Sequence, residues 1–322
     1  MKSNKLVYAL ALIVLSGSLV FTGCKKRKEF KKEDGQTSTD NRTTQSENDN
    51  ALNDANQAIS DQPLLHGRGG SPNAIAGVLG TICGLTVDTN GLYMGKVMLN
   101  YNGTTCNNRT RTGSIRLTIL NYTSGVRWKN VGAVLQVDYI NYKITRASDG
   151  KSVEFNGTQM VTNKTGGTWF DLFFLGQTSL ATEVNGTNLY VSFDGTGGTA
   201  IYNINRRFTY TIPSGVLTCT GEGTGSNNGI NNLENYGTTR EGDAFTSEVS
   251  TPIVWNWTCG WWAPTQGAVN IKVNSKSFDL KVTFAVDASG NVVSVAPNTC
   301  AYGFKVEWSY KKKTNKKIIG YV

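Results

Sequence analysis

The chain has 322 residues, 39% of them hydrophobic, and a formal net charge of +9. Its lysines crowd near the two ends, in residues 25–32 and 311–317, which argues against a basic nucleic-acid-binding face on the folded body. A single histidine and the absence of a C-x-x-C pair argue against a zinc site, and no other metal or cofactor is expected.

The first 24 residues have the layout of a bacterial lipoprotein signal. Two lysines precede an apolar run over residues 6–20, and small residues then lead to Cys24. The run is too short to span a bilayer stably. We therefore expect a signal peptide over residues 1–23 and acylation of Cys24, palmitate included, which would anchor the chain at the outer membrane on its periplasmic or surface side. A plain secretory signal or a short membrane anchor is the alternative.

Residues 24–73 are predicted to be a disordered tether. They are rich in charged and amide side chains and contain few apolar ones, so they cannot bury enough apolar surface to offset chain entropy. Leu52, Ala55 and Ile59 have helical spacing, which favours at most a short, weak helix. Basic residues after Cys24 would each add about 1 kcal/mol of attraction to an anionic membrane.

The remainder is predicted to be all-β, with antiparallel strands in two sandwich- or meander-like lobes. Residues 74–220 show the period-two alternation and the abundance of Val, Thr, Tyr and Ile that are typical of short strands. Residues 221–243, rich in Gly, Asn and Glu, are interpreted as a loop between the lobes. Residues 244–322 form the second lobe with a basic C-terminal tail.

Three local features of the first lobe carry specific predictions. Asp149-Gly150 is a strong hairpin signal, and Asn156-Gly157 is interpreted as another turn. Residues 114–120 place Ile115, Leu117 and Ile119 on one strand face. Residues 168–175 are apolar on both faces and are predicted to be a central strand.

Five cysteines remain if Cys24 is acylated. The predicted disulfides are Cys83–Cys106 and Cys259–Cys300, because each cysteine lies beside a predicted strand and its partner is near in a meander. Cys219 is then free. The alternative is that several of these cysteines are buried thiols.

Four residues are candidate ligand contacts. Alternation places Trp255, Trp257 and Trp261 on the face of Cys259, which predicts a tryptophan core around a disulfide. Trp262 points the other way and, with Tyr302, is a candidate for stacking on a sugar ring. Arg109 and Arg111 can hold a carboxylate or phosphate through their forked donors, or can be charges that guard an exposed edge strand.

The sequence does not predict a set of catalytic residues. Asp138 and Glu154 are the best carboxylates for glycoside hydrolysis, but nothing in their spacing brings them together. His66 lies in the predicted tether, where a mobile base cannot be held in productive geometry.

A recurring pattern lies in the first lobe. It consists of Cys106, residues 109–113 leading into Ile115, and residues 137–142, 153–158 and 161–163. The pattern resembles that of uncharacterised β-rich lipoproteins of Bacteroidota, and the Cys259 to Cys300 half fits the same layout. The resemblance implies an envelope location and an extended β fold, and it implies no known reaction.

Two functions follow as hypotheses. The first is a lipid-anchored cell-envelope protein that is not an enzyme and binds a glycan or another envelope protein, or has a structural role, with its lipid as the membrane partner. The alternative is a polysaccharide-active hydrolase that uses a carboxylate pair such as Asp138 and Glu154.

Overall fold

The computed structural model describes residues 32–67, 73–274, 279–295, 299–310 and 313–321. The chain divides into a short unit, Met1–Gly35, and a compact unit, Gln36–Val322, that contains every described strand. The predicted signal peptide and Cys24 lie outside the described residues. Within those residues, no helix is both long and apolar enough to cross a membrane.

Fifteen antiparallel strands form one sheet in the described part of the chain, which confirms the all-β prediction. The strands are β1 Leu85–Asp88, β2 Lys96–Cys106, β3 Arg109–Ile119, β4 Val134–Arg146, β5 Ser152–Asn163, β6 Leu180–Phe193, β7 Thr199–Thr211, β8 Thr218–Gly223, β9 Gly225–Asn227, β10 Ile230–Thr238, β11 Ala244–Asn256, β12 Gln266–Val273, β13 Asp279–Val286, β14 Gly303–Tyr310 and β15 Lys313–Gly320. Strands β1 to β7 follow chain order, β10 to β15 continue it, β8 pairs with β7 and β11, and β9 pairs with β10.

The two predicted lobes are one continuous sheet. The segment interpreted as a loop, residues 221–243, contains the second half of β8, all of β9 and β10, and the turn that follows. β10 joins the halves because it pairs with β7 on one side and β11 on the other. Its Glu234 and Asn235 are buried, so polar residues that the sequence assigns to a loop are strand residues here.

In the described ranges, four α-helices accompany the sheet: α1 Lys32–Ser60, α2 Pro63–His66, α3 Ala74–Leu79 and α4 Trp169–Phe174. The prediction of a central strand over residues 168–175 is wrong, because α4 occupies it. The Thr168 hydroxyl accepts a hydrogen bond from the Asp171 backbone N–H and caps this helix. A short run that is apolar on both faces does not distinguish a strand from a buried helix turn.

The predicted tether is also wrong where the structure describes it. Residues 32–60 form α1, and most side chains from Thr37 to Ser60 are buried although they are mainly Asn, Asp, Gln, Ser and Thr. These residues are poor helix formers, so contacts with the sheet must stabilise the helix. His66 is likewise fixed, 1% exposed and stacked on Phe170 with ring centroids 5.4 Å apart.

The inner face of the sheet surrounds α1. Tyr101 of β2 donates to Asp54 at 2.8 Å, and Gln159 of β5 donates to Asn48 at 2.8 Å. On the other side, the Asn41 amide donates to Ser247 of β11 at 3.2 Å. Between these polar contacts the strands present alternate apolar side chains. They include the predicted Ile115, Leu117 and Ile119, which are all buried.

A row of β-bulges bends the strands across the sheet. The pairing register shifts at Asn141 in β4, near Gly157 in β5 and near Asn188 in β6; Asn141 and Asn188 have φ values of 49° and 53°. Bulges bend strands and increase their twist, which curves the sheet around α1. Asp149-Gly150 is the predicted hairpin, but Asn156-Gly157 lies inside β5 and not in a turn between strands.

Buried ion pairs join the sheet to α1. Each of four arginines of the sheet and its hairpins binds one carboxylate of the helix: Arg109–Glu47, Arg111–Asp54, Arg206–Asp49 and Arg240–Asp40. Arg206 is the deepest, 2% exposed, and its guanidinium also lies 3.9 Å from the fully buried Glu234. A buried charge that loses its partner is strongly destabilising.

Arg206 and Arg207 give a matched test of this burial. Arg206→Ala leaves Asp49 and Glu234 uncompensated, and we expect it to lower the free energy of unfolding by about 3–5 kcal/mol. Arg207→Ala removes an exposed pair with Glu183, and we expect a cost below about 1 kcal/mol. Urea denaturation measures both, and equal costs would contradict the buried network.

Asp49 makes stability depend on pH. Burial raises its pKa from 3.8 to about 6, against the opposing effect of Arg206. Because the folded state then holds the proton more tightly than the unfolded chain, the Asp49 contribution to the free energy of unfolding falls as pH rises from about 4 to about 6. We expect the wild type to lose about 3 kcal/mol relative to Asp49→Asn across this interval, measured by urea denaturation at each pH. A constant difference would contradict the shift.

Candidate functional site

A cavity of about 150 Å³ is lined by α1, by the start of β3, by the β4–β5, β6–β7 and β10–β11 hairpins, by the segment between β11 and β12, and by residues of β14, β15 and the segment after β15. We call it the charged cavity. Its basic lining residues are Arg42, Arg109, Arg146, Lys151 and Arg240. Its acidic lining residues are Asp40, Glu47 and Asp194. Its aromatic lining residues are Phe193, Trp262, Phe304 and Tyr321.

Ion pairs hold two of the cavity arginines in place. Arg240 donates two hydrogen bonds, both 2.6 Å, from Nε and Nη2 to the Asp40 carboxylate. Arg109 Nε donates to Glu47 Oε1 at 2.6 Å. Charge-assisted bonds of this length fix the positions of the planar guanidinium groups.

Burial moves the pKa values of the charged groups on α1. Desolvation raises the pKa of Asp40 above 3.8, and the hydrogen bonds from Arg240 and Gln36 oppose this increase. Desolvation lowers the pKa of Arg42 below its usual value. Arg42 donates to the Trp262 backbone oxygen at 2.7 Å and has no carboxylate within 4.0 Å among the described residues.

Aromatic rings lie beneath the arginines. The Arg109 guanidinium carbon is 5.7 Å from the centre of a Trp262 ring, and that of Arg240 is 4.1 Å from the centre of Phe193. Stacking of this kind orders an arginine without neutralising it. Basic residues exceed acidic ones by two in the lining, so the cavity favours an anion with a flat, partly apolar body.

The structure brings together two of the four predicted ligand contacts. Arg109 and Trp262 both line the charged cavity, since the segment between β11 and β12 carries Trp262 there. Arg111 is not among the lining residues; it binds Asp54, further along α1, at 2.9 Å. Tyr302 is 54% exposed and is not among the lining residues.

The alternative interpretation of Arg109 and Arg111 as edge-strand charges is wrong. β3 lies between β2 and β4, and both arginines point to α1. The prediction that Trp255, Trp257 and Trp261 share one buried face is also wrong in part. Trp255 and Trp261 are buried, but β11 ends at Asn256, and the turn that follows leaves Trp257 36% exposed.

Asp138 and Glu154 do not form a pair. Asp138 binds Arg116 at 3.0 Å and Thr158 at 2.7 Å on the outer face. Asp138 faces Thr158 across the ladder and Glu154 lies four residues before Thr158, which separates the two acids by about 13 Å. That distance exceeds what either glycosidase mechanism uses.

Sequence reasoning missed the helix residues of the cavity. Asp40, Arg42 and Glu47 lie in the segment predicted to be a tether. The one available signal was the helical spacing of Leu52, Ala55 and Ile59, which are all buried against the sheet. That spacing stops at Leu52, because the residues of the preceding turns are polar, so it could not predict the part of α1 that lines the cavity.

Both predicted disulfides are present. Cys83 is bonded to Cys106 and Cys259 to Cys300, while Cys219 is free and buried. No group of three or more His, Cys, Asp or Glu that would suit a metal ion occurs in the described ranges. In comparisons with protein-family models, curated proteins and solved structures, the chain matches none.

The cysteine arrangement predicts a simple thiol count. Burial raises the pKa of the Cys219 thiol well above 9.0, so the thiol is both shielded and protonated near neutral pH. In a Cys24→Ser chain we expect no reaction with Ellman's reagent in the native state and one thiol per chain after unfolding without reductant. Three or more thiols after unfolding would contradict the disulfides.

Proposed function

We propose that this chain is a non-enzymatic binding module of the cell envelope whose charged cavity holds an acidic sugar unit of a glycan. The observation that carries the proposal is the meeting of Arg109 and Trp262, with Arg42 and Lys151, in one cavity. An acidic sugar offers a carboxylate or sulfate for the cations and a ring face for the tryptophan.

The charge distribution supports an anion. Arg240 and Arg109 are already paired to carboxylates of α1, but Arg42 and Lys151 have no ion-pair partner among the described residues. Lys151 is exposed at the rim, whereas Arg42 is buried at the wall. A ligand carboxylate therefore meets two cations that the protein leaves unneutralised.

The cavity size supports a small unit. Its volume of about 150 Å³ corresponds to on the order of ten water molecules, which suits one sugar ring with its acidic group. A longer glycan would extend past the hairpins into solvent. We do not propose the hydrolase alternative, because the acids on which it relied are separated and Asp40 and Glu47 are each bound to an arginine.

The envelope location is part of the same proposal and rests on the sequence. The lipoprotein-like signal and Cys24 support an acylated N-terminus at the outer membrane. The two disulfides support an oxidising compartment, because such bonds are rare in the reducing cytosol. Incorporation of labelled palmitate into the wild type, and not into Cys24→Ser, tests the anchor.

Calorimetric titration with digalacturonate and with neutral galactobiose tests the ligand class. We expect the acidic disaccharide to bind at least about tenfold more tightly, because only its carboxylates engage Arg42 and Lys151. Trp262→Ala and Lys151→Ala should each weaken digalacturonate binding by about tenfold.

Trp257→Ala is the matched control, since Trp257 belongs to the same segment but does not line the cavity. It should bind digalacturonate like the wild type. Equal affinity for the two sugars, binding of neither, or an equal loss in both tryptophan variants would contradict the acidic-sugar proposal.

A further inference from the structure

Large apolar side chains are exposed together at one end of strands β1 to β6. We call this surface the apolar end, and its residues are 45–83% exposed: Leu64, Val78, Tyr93, Met94, Val131, Phe174 and Leu175. Isolated exposed apolar residues are normal, but a contiguous group marks an interaction surface.

Topology places these residues side by side. In an antiparallel meander, alternate connections fall at the same end of the sheet. The β1–β2 connection carries Tyr93 and Met94, the β3–β4 connection carries Val131, and the β5–β6 connection carries Phe174 and Leu175. The β4–β5 hairpin of the charged cavity is the connection between the last two, at the other end of these strands.

Direct contacts join these connections into one layer. The Tyr122 hydroxyl donates to the Leu64 backbone oxygen at 3.1 Å, which ties α2 to the β3–β4 connection. Gly95 packs so closely on Tyr122 that an added Cβ would lie 2.4 Å from the side chain. Gly167 N–H donates to the Lys129 oxygen at 2.8 Å, which ties the β5–β6 connection to the same layer.

Basic side chains accompany the apolar ones. Lys96, Arg127, Lys129 and Lys164 belong to these connections or to the strand ends beside them. The nearby exposed acid is Asp88, and Glu183 is bound to Lys164 at 3.1 Å. Apart from the buried Asp61 and Asp171 and the Lys164–Glu183 pair, the apolar end therefore combines protruding apolar groups with three basic side chains and one exposed acid.

We propose that the apolar end docks onto an anionic lipid surface, an interaction separate from the sugar binding proposed above. The apolar groups project from several short connections, an arrangement suited to shallow insertion among lipid headgroups. The lysines and arginines beside them complement anionic lipids. Charge complementarity thus favours a lipid surface over a second, equally basic copy of this chain.

Sedimentation with vesicles tests this docking. The protein is the chain from residue 24 onward with Cys24→Ser, which contains the whole compact unit and carries no lipid. We expect it to bind vesicles of equimolar phosphatidylglycerol and phosphatidylcholine, and to bind pure phosphatidylcholine at least about tenfold more weakly. The double variant Tyr93→Ser, Leu175→Ser should lose about tenfold or more of the binding to the anionic vesicles.

Tyr190→Ser is the matched control, because Tyr190 is 50% exposed on β6, away from the apolar end. It should bind like the parent chain, and the urea midpoints of all variants should agree because each changed side chain is exposed. No binding to anionic vesicles, or an equal loss in Tyr190→Ser, would overturn the proposal. Unchanged binding of the double variant would also overturn it and would assign the binding to the basic residues after Cys24. A dimer that dissociates in the double variant while vesicle binding is absent would also overturn it and would assign the surface to a second copy.

Discussion

The pairing of sheet arginines with helix carboxylates is the constraint on which the rest of the structure depends. Asp40, Glu47 and Asp54 recur every seven residues, so they lie along one side of α1 and meet Arg240, Arg109 and Arg111 in turn. A buried ion pair adds little net stability, but shifting the helix by one residue would leave several buried charges without their ion-pair partners. The pairs therefore set the register of α1 within the sheet more than they stabilise it.

This constraint explains why the sheet and the charged cavity have their shapes. A sheet that surrounds a helix must curve strongly, and the bulges at Asn141, Gly157 and Asn188 supply local bends at successive strands. Because α1 lines the cavity from Gln36 to Glu47, Asp40 and Glu47 are both cavity walls and ion-pair partners. The same helix thus packs on the inner face of the sheet and shapes the site.

The features that could be predicted from the sequence and those that could not differ for physical reasons. Alternation is a local signal, so the inner face at Ile115, Leu117 and Ile119 and the hairpin at Asp149-Gly150 could be predicted. α1 could not be predicted, because the rule that polar segments stay in solvent does not consider binding partners that are distant in the sequence. Arg206, for example, lies 157 residues from its partner Asp49. For the same reason the sequence offered Arg109 and Trp262 as separate candidates and could not place them in one cavity.

The ion pairs also limit how the charged cavity can bind. An incoming carboxylate that displaced Asp40 from Arg240, or Glu47 from Arg109, would leave a helix carboxylate with no partner in a largely buried place, and that loss would offset the new bond. Arg42 and Lys151 carry no such cost, since neither has an ion-pair partner among the described residues. The paired arginines therefore act as fixed walls, and recognition of an anion falls to Arg42, Lys151 and the face of Trp262.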